Sequence, residues 1–228
     1  NHEWQIDALA APAADNYHLE GDEISFDAQA ATSRIGNKTQ ISRKAVIVSG
    51  TMESVDLAGR NNELAYLISK ASKELKRDME TTLTANQAPV DSGAGAARRM
   101  ASLESWIKTN SDKGGGSGAD PSGSGTHARV DGTQRAFTEA QLKSMIRKVW
   151  TEGGDPSMVM VGAFNKQRLS GFTGGATRMD DAENKRLVSA IDVYESDFGA
   201  LQVVANRFSR SRSAYVLSPD MWSAAYLR

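Results

Sequence analysis

Residues 138–172 read TEAQLKSMIRKVWTEGGDPSMVMVGAFNKQRLSGF, and this stretch decides the fold class. Thr138 and Gln141 have the spacing of a capping box, with Phe137 and Leu142 placed for a hydrophobic staple, so a helix starts here. Leu142, Met145, Ile146, Val149 and Trp150 recur at helical spacing and predict its buried stripe; Gly153 ends it. The short apolar run MVMVGAF follows and suits a buried strand. FNKQRLSGF is then a short helix. Helix, strand and helix in so few residues predict a mixed domain.

Downstream, LVSAIDVYESDFGALQVVANRF reads as a hairpin turning near Asp197 to Gly199. AYVLSPDMWSAAYLR adds a strand, a Ser218-Pro219-Asp220 turn and an apolar end. One compact domain over residues 137–217 is expected, with what precedes it lying outside. The intervening TGGATRMDDAEN is a loop.

The longest helical pattern lies upstream, in NNELAYLISKASKELKRDMETTL, residues 61–83. Gly59 breaks the preceding turn and Asn61 is the expected N-cap. Leu64, Leu67, Ile68, Ala71, Leu75 and Met79 share a face, while Lys70, Lys73, Lys76 and Arg77 ride elsewhere among Glu74, Asp78 and Glu80. Such a helix is a strut of roughly 35 Å carrying no chemistry. Alone it is marginal, so its stripe must pack on something.

Residues 1–45 read as extended. EWQID alternates Trp4 and Ile6 with polar neighbours, EISFDAQA does the same with Ile24, Phe26 and Ala28, and TQISRKAVIV reads as a further strand. The long connection between the first two predicts an arm or a wide hairpin. Glu3, Asp7, Asp15, Glu20, Asp22, Glu23 and Asp27 all precede the first basic residue, Arg34. The run is either a solvated acidic face or an arm that docks on a basic surface, in this molecule or the next. Residues 114–132 are dense in Gly and Ser and predict a mobile surface loop.

Composition narrows the chemistry. The 228 residues suffice for one large domain or two small ones. A net charge of −1 is not that of a polycation built to coat nucleic acid. Cysteine is absent, which removes disulfides, thiolate nucleophiles and cysteine-held metals. No apolar run approaches a membrane span and no signal peptide is visible, so a soluble protein made inside the cell is expected. His2, His18 and His127 lack metal-ligand spacing, and Asp22, Glu23 and Asp27 lack the calcium-loop pattern. Asp180 and Asp181 read as a solvated loop tip. Asp197–Gly199 spells DFG, yet a kinase's glycine-rich loop, strand lysine and catalytic loop are missing, so a turn explains it. No catalytic, cofactor-binding or metal-ligating residue is assigned. Arg207, Arg210 and Arg212 form the densest arginine cluster; a surface or subunit contact is preferred, and a nucleic-acid-binding module is the alternative.

Several strings together, HEWQIDALAAPAA, EGDE, the run from Gln40 to Leu83, SLESWIKTN, DPSMVMVGAFNKQRLSGF and IDVYESDFGALQVVANRF, resemble SU-ten-like major capsid proteins of tailed bacteriophages, which carry the Hong Kong 97 capsid fold. The resemblance runs along nearly the whole chain. It implies an α+β capsid fold with an extended loop at 1–45, a peripheral domain at 46–90 holding the spine helix 61–83, and a mostly axial domain at 91–228 whose chain end returns towards the peripheral domain. It implies a structural protein, not an enzyme, forming pentamers and hexamers of an icosahedral virion shell around non-specifically held double-stranded DNA, assembled in the bacterial cytoplasm. Portal and decoration or scaffolding proteins are the implied further partners; no membrane and no cofactor are. Glu3, Asp7, Glu20, Asp22, Glu23 and Asp27, with Lys70, Lys73, Lys76, Arg77, Arg207, Arg210 and Arg212, are the expected subunit-interface residues. Family members continue beyond AAYLR and begin before HEWQ, so further peripheral strands are expected outside this sequence, which starts at Asn1. The arm has no lysine before Lys38, so no lysine–asparagine isopeptide cross-link is expected at its tip.

Overall fold

The computed structural model describes residues 1–24, 26, 28–55, 59, 62–93, 95–172 and 191–227. Along them run β1 (His2–Ile6), β2 (Ser33–Asn37), α1 (Gly50–Ser54), α2 (Glu63–Thr84), a 3-10 turn at Leu103–Trp106, α3 (Glu139–Thr151), β3 (Met158–Val161), α4 (Ala163–Ser170), β4 (Val193–Ser196), β5 (Gly199–Ala205), β6 (Ala214–Leu217) and a closing 3-10 turn at Pro219–Met221. The molecule is mixed α and β.

The capping box starts α3 as expected: Gln141 N donates to Thr138 Oγ1 at 3.4 Å, and Thr138 N donates to Gln141 Oε1 at 2.9 Å. Such a pair satisfies two of the amides that a helix start leaves open. Leu142 and Ile146 of α3 then meet Val159 and Val161 of β3, Leu169 of α4, and Leu201 and Val203 of β5 in one buried cluster. The sheet order is β4-β5-β3-β6; β3 and β5 are parallel, and the other neighbours antiparallel. Val159 and Val161 pair with Val203 and Ala205 on one side and with Val216 and Ala214 on the other. A central strand has both ladder edges filled, and it is the most apolar strand here. The β4–β5 hairpin turns at Asp197 and Phe198, with Ser196 opposite Gly199 at φ +123. DFG is therefore a turn, as expected. Trp150 is not in the core: it is exposed and stacks on Phe198 at 5.1 Å, because Leu142 and Ile146 already fill the face beneath.

Upstream the expectations change in detail. The expected N-cap Asn61 lies outside the described residues; Asn62 caps α2, its Oδ1 accepting from Ala65 N at 2.7 Å. β1 pairs with β2 at 33–37, Trp4 opposite Ile35, and not with Ile24, Phe26 or Ala28. Ile24 and Phe26 are exposed and belong to no strand, and neither does the stretch 39–48, where Ile41 and Ile47 are exposed. Alternation needs a surface to bury its apolar face on, and the single chain offers none here.

The Gly/Ser loop is folded against the molecule. Asp120 binds Ser111 and Arg129 Nη1 at 2.7 Å each and Lys113 at 2.5 Å, and Ala119 and Val130 bridge. A Cβ on Gly118 would stand 2.8 Å from Gly132 Cα, so glycine lets the two limbs touch. The expectation of a mobile loop weighs composition alone and does not include these polar ties. The sequence loop 173–184, with Asp180 and Asp181, lies outside the described residues.

Candidate interaction surfaces

The arm has a fixed root and an uncovered remainder. At the root, Trp4 stacks on Trp106 at 5.2 Å and His2 on Trp4 at 5.7 Å. Asn37 makes a two-bond clasp with Ala101: its Nδ2 donates to the carbonyl at 3.1 Å and its Oδ1 accepts from the amide at 2.9 Å. Between Ile6 and Ser33 the described hydrogen bonds are local, such as Tyr17 N to Asp15 O at 2.8 Å and Asp22 N to Leu19 O at 3.2 Å. Leu9, Tyr17, Leu19, Ile24 and Phe26 all face solvent, Leu9 and Phe26 almost completely, at 99% and 96%.

The acidic residues of the arm divide. Glu3 pairs with Arg34 across the hairpin, and that hydrogen bond with its charge holds the Glu3 carboxyl below the usual range. Asp7 accepts only from Ala8 N at 2.9 Å among the described side-chain bonds. Glu20, Asp22 and Glu23 are exposed with no ion pair among the described residues. Asp27 lies outside the described residues.

The strut α2 is anchored at one end. Asn206 Nδ2 donates to Glu80 at 2.5 Å, Thr84 Oγ1 donates to Phe208 O at 3.0 Å, and the Arg77 guanidinium lies 5.8 Å from the Phe208 ring centre. Towards the other end Leu64, Tyr66 and Ile68 are exposed, so the apolar stripe is only half covered within one chain. Lys70 lies 4.0 Å from Glu74, while exposed Lys73 and Lys76 have no ion pair among the described residues. The one described ion pair from residues 1–45 to the strut has the opposite polarity to the expected one. Lys44 donates to Asp78 at 2.7 Å, and that contact raises the Lys44 pKa.

The arginine cluster is mostly turned inward. Arg210 binds both Glu104 and Asp131, and Arg212 binds the Gly132 carbonyl at 2.6 Å and Asp131 at 3.3 Å. Arg207 and Arg212 are exposed and Arg210 is half-buried; of the three, only Arg207 has no ion pair among the described residues. Glu104, 2% exposed, also accepts from Ser213 Oγ at 2.6 Å and Tyr215 Oη at 2.7 Å. Burial and the neighbouring Glu104 charge push the Tyr215 phenol well above its ordinary value. Burial works against the Arg210 charge, but Asp131 and Glu104 outweigh it and raise its pKa. Nothing in the sequence pattern flagged Glu104; its signal was a lone carboxylate in SLESW among small and apolar neighbours. A basic cluster bonded to its own carboxylates is a poor reader of phosphates.

Between α3, β6 and residues 107–135 lies a cleft of about 300 Å³, walled by Met145, Val149, Val216 and Trp222 and rimmed by Lys113 and Arg135. Arg135 and Lys113 are paired with Asp112 and Asp120. Among the described residues no three His, Asp or Glu side chains gather as a metal site, and no helix is long and apolar enough to cross a membrane.

Two comparisons bear on this geometry. The family model described as SU10 major capsid protein matches residues 1–228. A protein named major capsid protein, from Escherichia phage Phieco32, is 25% identical over 260 residues, covering 99% of this chain and 74% of that relative.

Proposed function

The chain belongs to the SU10 major capsid protein family, a structural and not an enzymatic class, and from that premise we propose that it tiles with its own copies into pentamers and hexamers of an icosahedral phage head enclosing double-stranded DNA. In this reading it has the Hong Kong 97 capsid fold. Residues 1–45 are the extended loop, 46–90 the peripheral domain around α2, and 91–228 mostly the axial domain. The subunit works in the virion capsid after assembly in the host cytoplasm, with portal and decoration or scaffolding proteins as further partners.

The observation that carries the reading is apolar surface left uncovered on long, outlying elements. Leu9, Phe26, Ile47, Leu64 and Ile68 are large, exposed, and spread over the arm, the strut and the segment between them. Apolar side chains this large and this fully exposed on outlying elements need a partner surface to cover them, and a shell supplies one by repetition. Each interface can be modest because closure makes every contact cooperative with the rest. The arm's carboxylates Asp7, Glu20, Asp22, Glu23 and Asp27 are assigned to a neighbour's basic strut face at Lys70, Lys73 and Lys76. Glu3, Arg77, Arg210 and Arg212 contribute chiefly within their own chain, and exposed Arg207, with no ion pair among the described residues, is assigned to a contact.

Electron microscopy of the purified full-length subunit tests this. Closed shells or isolated pentamers and hexamers are expected in the absence of DNA. A protein that stays monomeric under all packing conditions and turns over a substrate overturns it.

A further inference from the structure

We propose that the glycine-serine loop aims the arm: Gly125 positions the Trp106 indole, and Trp106 carries Trp4 and with it the whole β1–β2 hairpin. The inference rests on the reading of residues 1–45 as an inter-subunit arm, but its first measurement does not.

Three observations meet at Trp106. Gly125 is buried with φ +69, and a Cβ there would overlap the six-membered ring of Trp106 far inside van der Waals contact. Trp4 stacks on the same indole at 5.2 Å with the rings tilted 45°. The backbone beneath Trp106 is held, since Ser105 Oγ donates to Gln87 O at 2.7 Å and Glu104 is locked by Tyr215 and Ser213. A fixed backbone leaves the ring to be placed by its neighbours, among them Gly125 and Trp4.

The hairpin has a second attachment, the Asn37–Ala101 clasp. Lys38 pairs with Asp91 at 2.6 Å just past the clasp, so the direction is set at the root. Between residues 7 and 32 no described hydrogen bond or ion pair reaches the rest of the chain. The chain length between Ile6 and Ser33 suffices for two limbs of about 13 residues, each able to reach roughly 40 Å when extended. A small rotation at the root is multiplied at the tip. Composition explains the glycine: at positive φ and in contact with an indole, no side chain fits. Trp106 and Gly125 are positioning residues that act through Trp4.

Gly125→Ala is compared with Gly123→Ala in the full-length chain. Gly123 is a matched control: it also has positive φ, +81, in the same loop. Its Cβ would also be crowded, 2.8 Å from Lys108 Cβ, but its nearest neighbours are all Lys108 atoms and not an indole. Trp4 and Trp106 are the described indole pair among four tryptophans, so their exciton couplet in far-ultraviolet circular dichroism reports the root directly. We expect Gly125→Ala to lose the couplet and to form open or irregular shells, while Gly123→Ala keeps the couplet and the regular shell. Trp4→Ala, on the hairpin and outside the core, is expected to give the same irregular shells with an unchanged unfolding midpoint. It decides the matter should Gly125→Ala fail to fold. A couplet retained in Gly125→Ala, equal damage from Gly123→Ala, or regular shells from Trp4→Ala overturns the proposal. Should the native chain form no shell, the capsid reading fails, and the couplet comparison still tests whether Gly125 sets the stack.

Discussion

Glu104 takes hydrogen bonds from Arg210, Ser213 and Tyr215 while almost wholly buried, so its partners answer for its charge. Removing one partner from such a group costs more than the bond is worth, because a charge is left in low dielectric. Arg210→Ala is therefore expected to destabilise the subunit by about 3–5 kcal/mol in urea unfolding. Arg207→Ala, at an exposed position, should stay within about 0.5 kcal/mol. Equal effects would mean that the knot is solvated. The pH dependence has a definite sign. Tyr215 keeps its proton in the fold to higher pH than in the unfolded chain. Its contribution is complete below the ordinary phenol value of about 10 and is lost as pH rises above that. Tyr215→Phe should flatten the alkaline limb of the stability curve, measured as unfolding midpoint from pH 8 to 12, while lowering the midpoint at pH 7. Glu3 works the other way: its depressed pKa makes the Arg34 contact present above the ordinary carboxylate range and lost as pH falls through the folded value.

At the scale of elements, what was legible in the sequence is what local chemistry encodes. The capping box of α3, the apolar run of β3, the hairpin of β4 and β5 and the periodicity of α2 all sat where expected, because each is specified within a few residues. The misplaced elements depend on distant partners. Ile24, Phe26 and Ala28, and the stretch 39–48, have strand alternation without a strand, and the Gly/Ser loop has the composition of a linker but is tied by side-chain bonds. Its order comes from Asp120, Arg129 and Trp106, none of which the loop's glycine content reveals. The strut belongs to both classes: its helix was readable, but its cover was not. Asn62→Ala should cost α2 about 1 kcal/mol through the lost cap. By contrast Leu64→Ser and Ile68→Ser, exposed in the single chain, should change the subunit's unfolding free energy by less than about 0.5 kcal/mol. The same pair should reduce shell yield in sedimentation. A large loss of subunit stability would show that the stripe is covered within its own chain.

For the whole molecule the charge is close to balanced, at −1, but its distribution is not. Acidic side chains collect on the arm, and the exposed lysines Lys73 and Lys76 lie on the strut, while the described arm–strut ion pair inside one chain joins Lys44 to Asp78. An arm that carried Glu20, Asp22 and Glu23 to its own strut would show them paired there, and they are not. The complementary surfaces are thus left for contact between copies, at exposed positions where salt screens strongly. Screening length falls from about 10 Å at 0.1 M to about 3 Å at 1 M. Assembly followed by light scattering should slow as sodium chloride rises over that range, and charge reversal at Glu20, Asp22 and Glu23 should slow it at low salt. Reversal of Lys73 and Lys76 as well should restore much of the rate, since the pairing is regained with its polarity exchanged. Apolar burial alone predicts the contrary, because raising salt does not weaken contacts between uncharged side chains. An assembly rate indifferent both to salt and to the paired reversals would assign the contact to Leu9, Phe26 and their neighbours, with the carboxylates serving only to keep the free arm in solution.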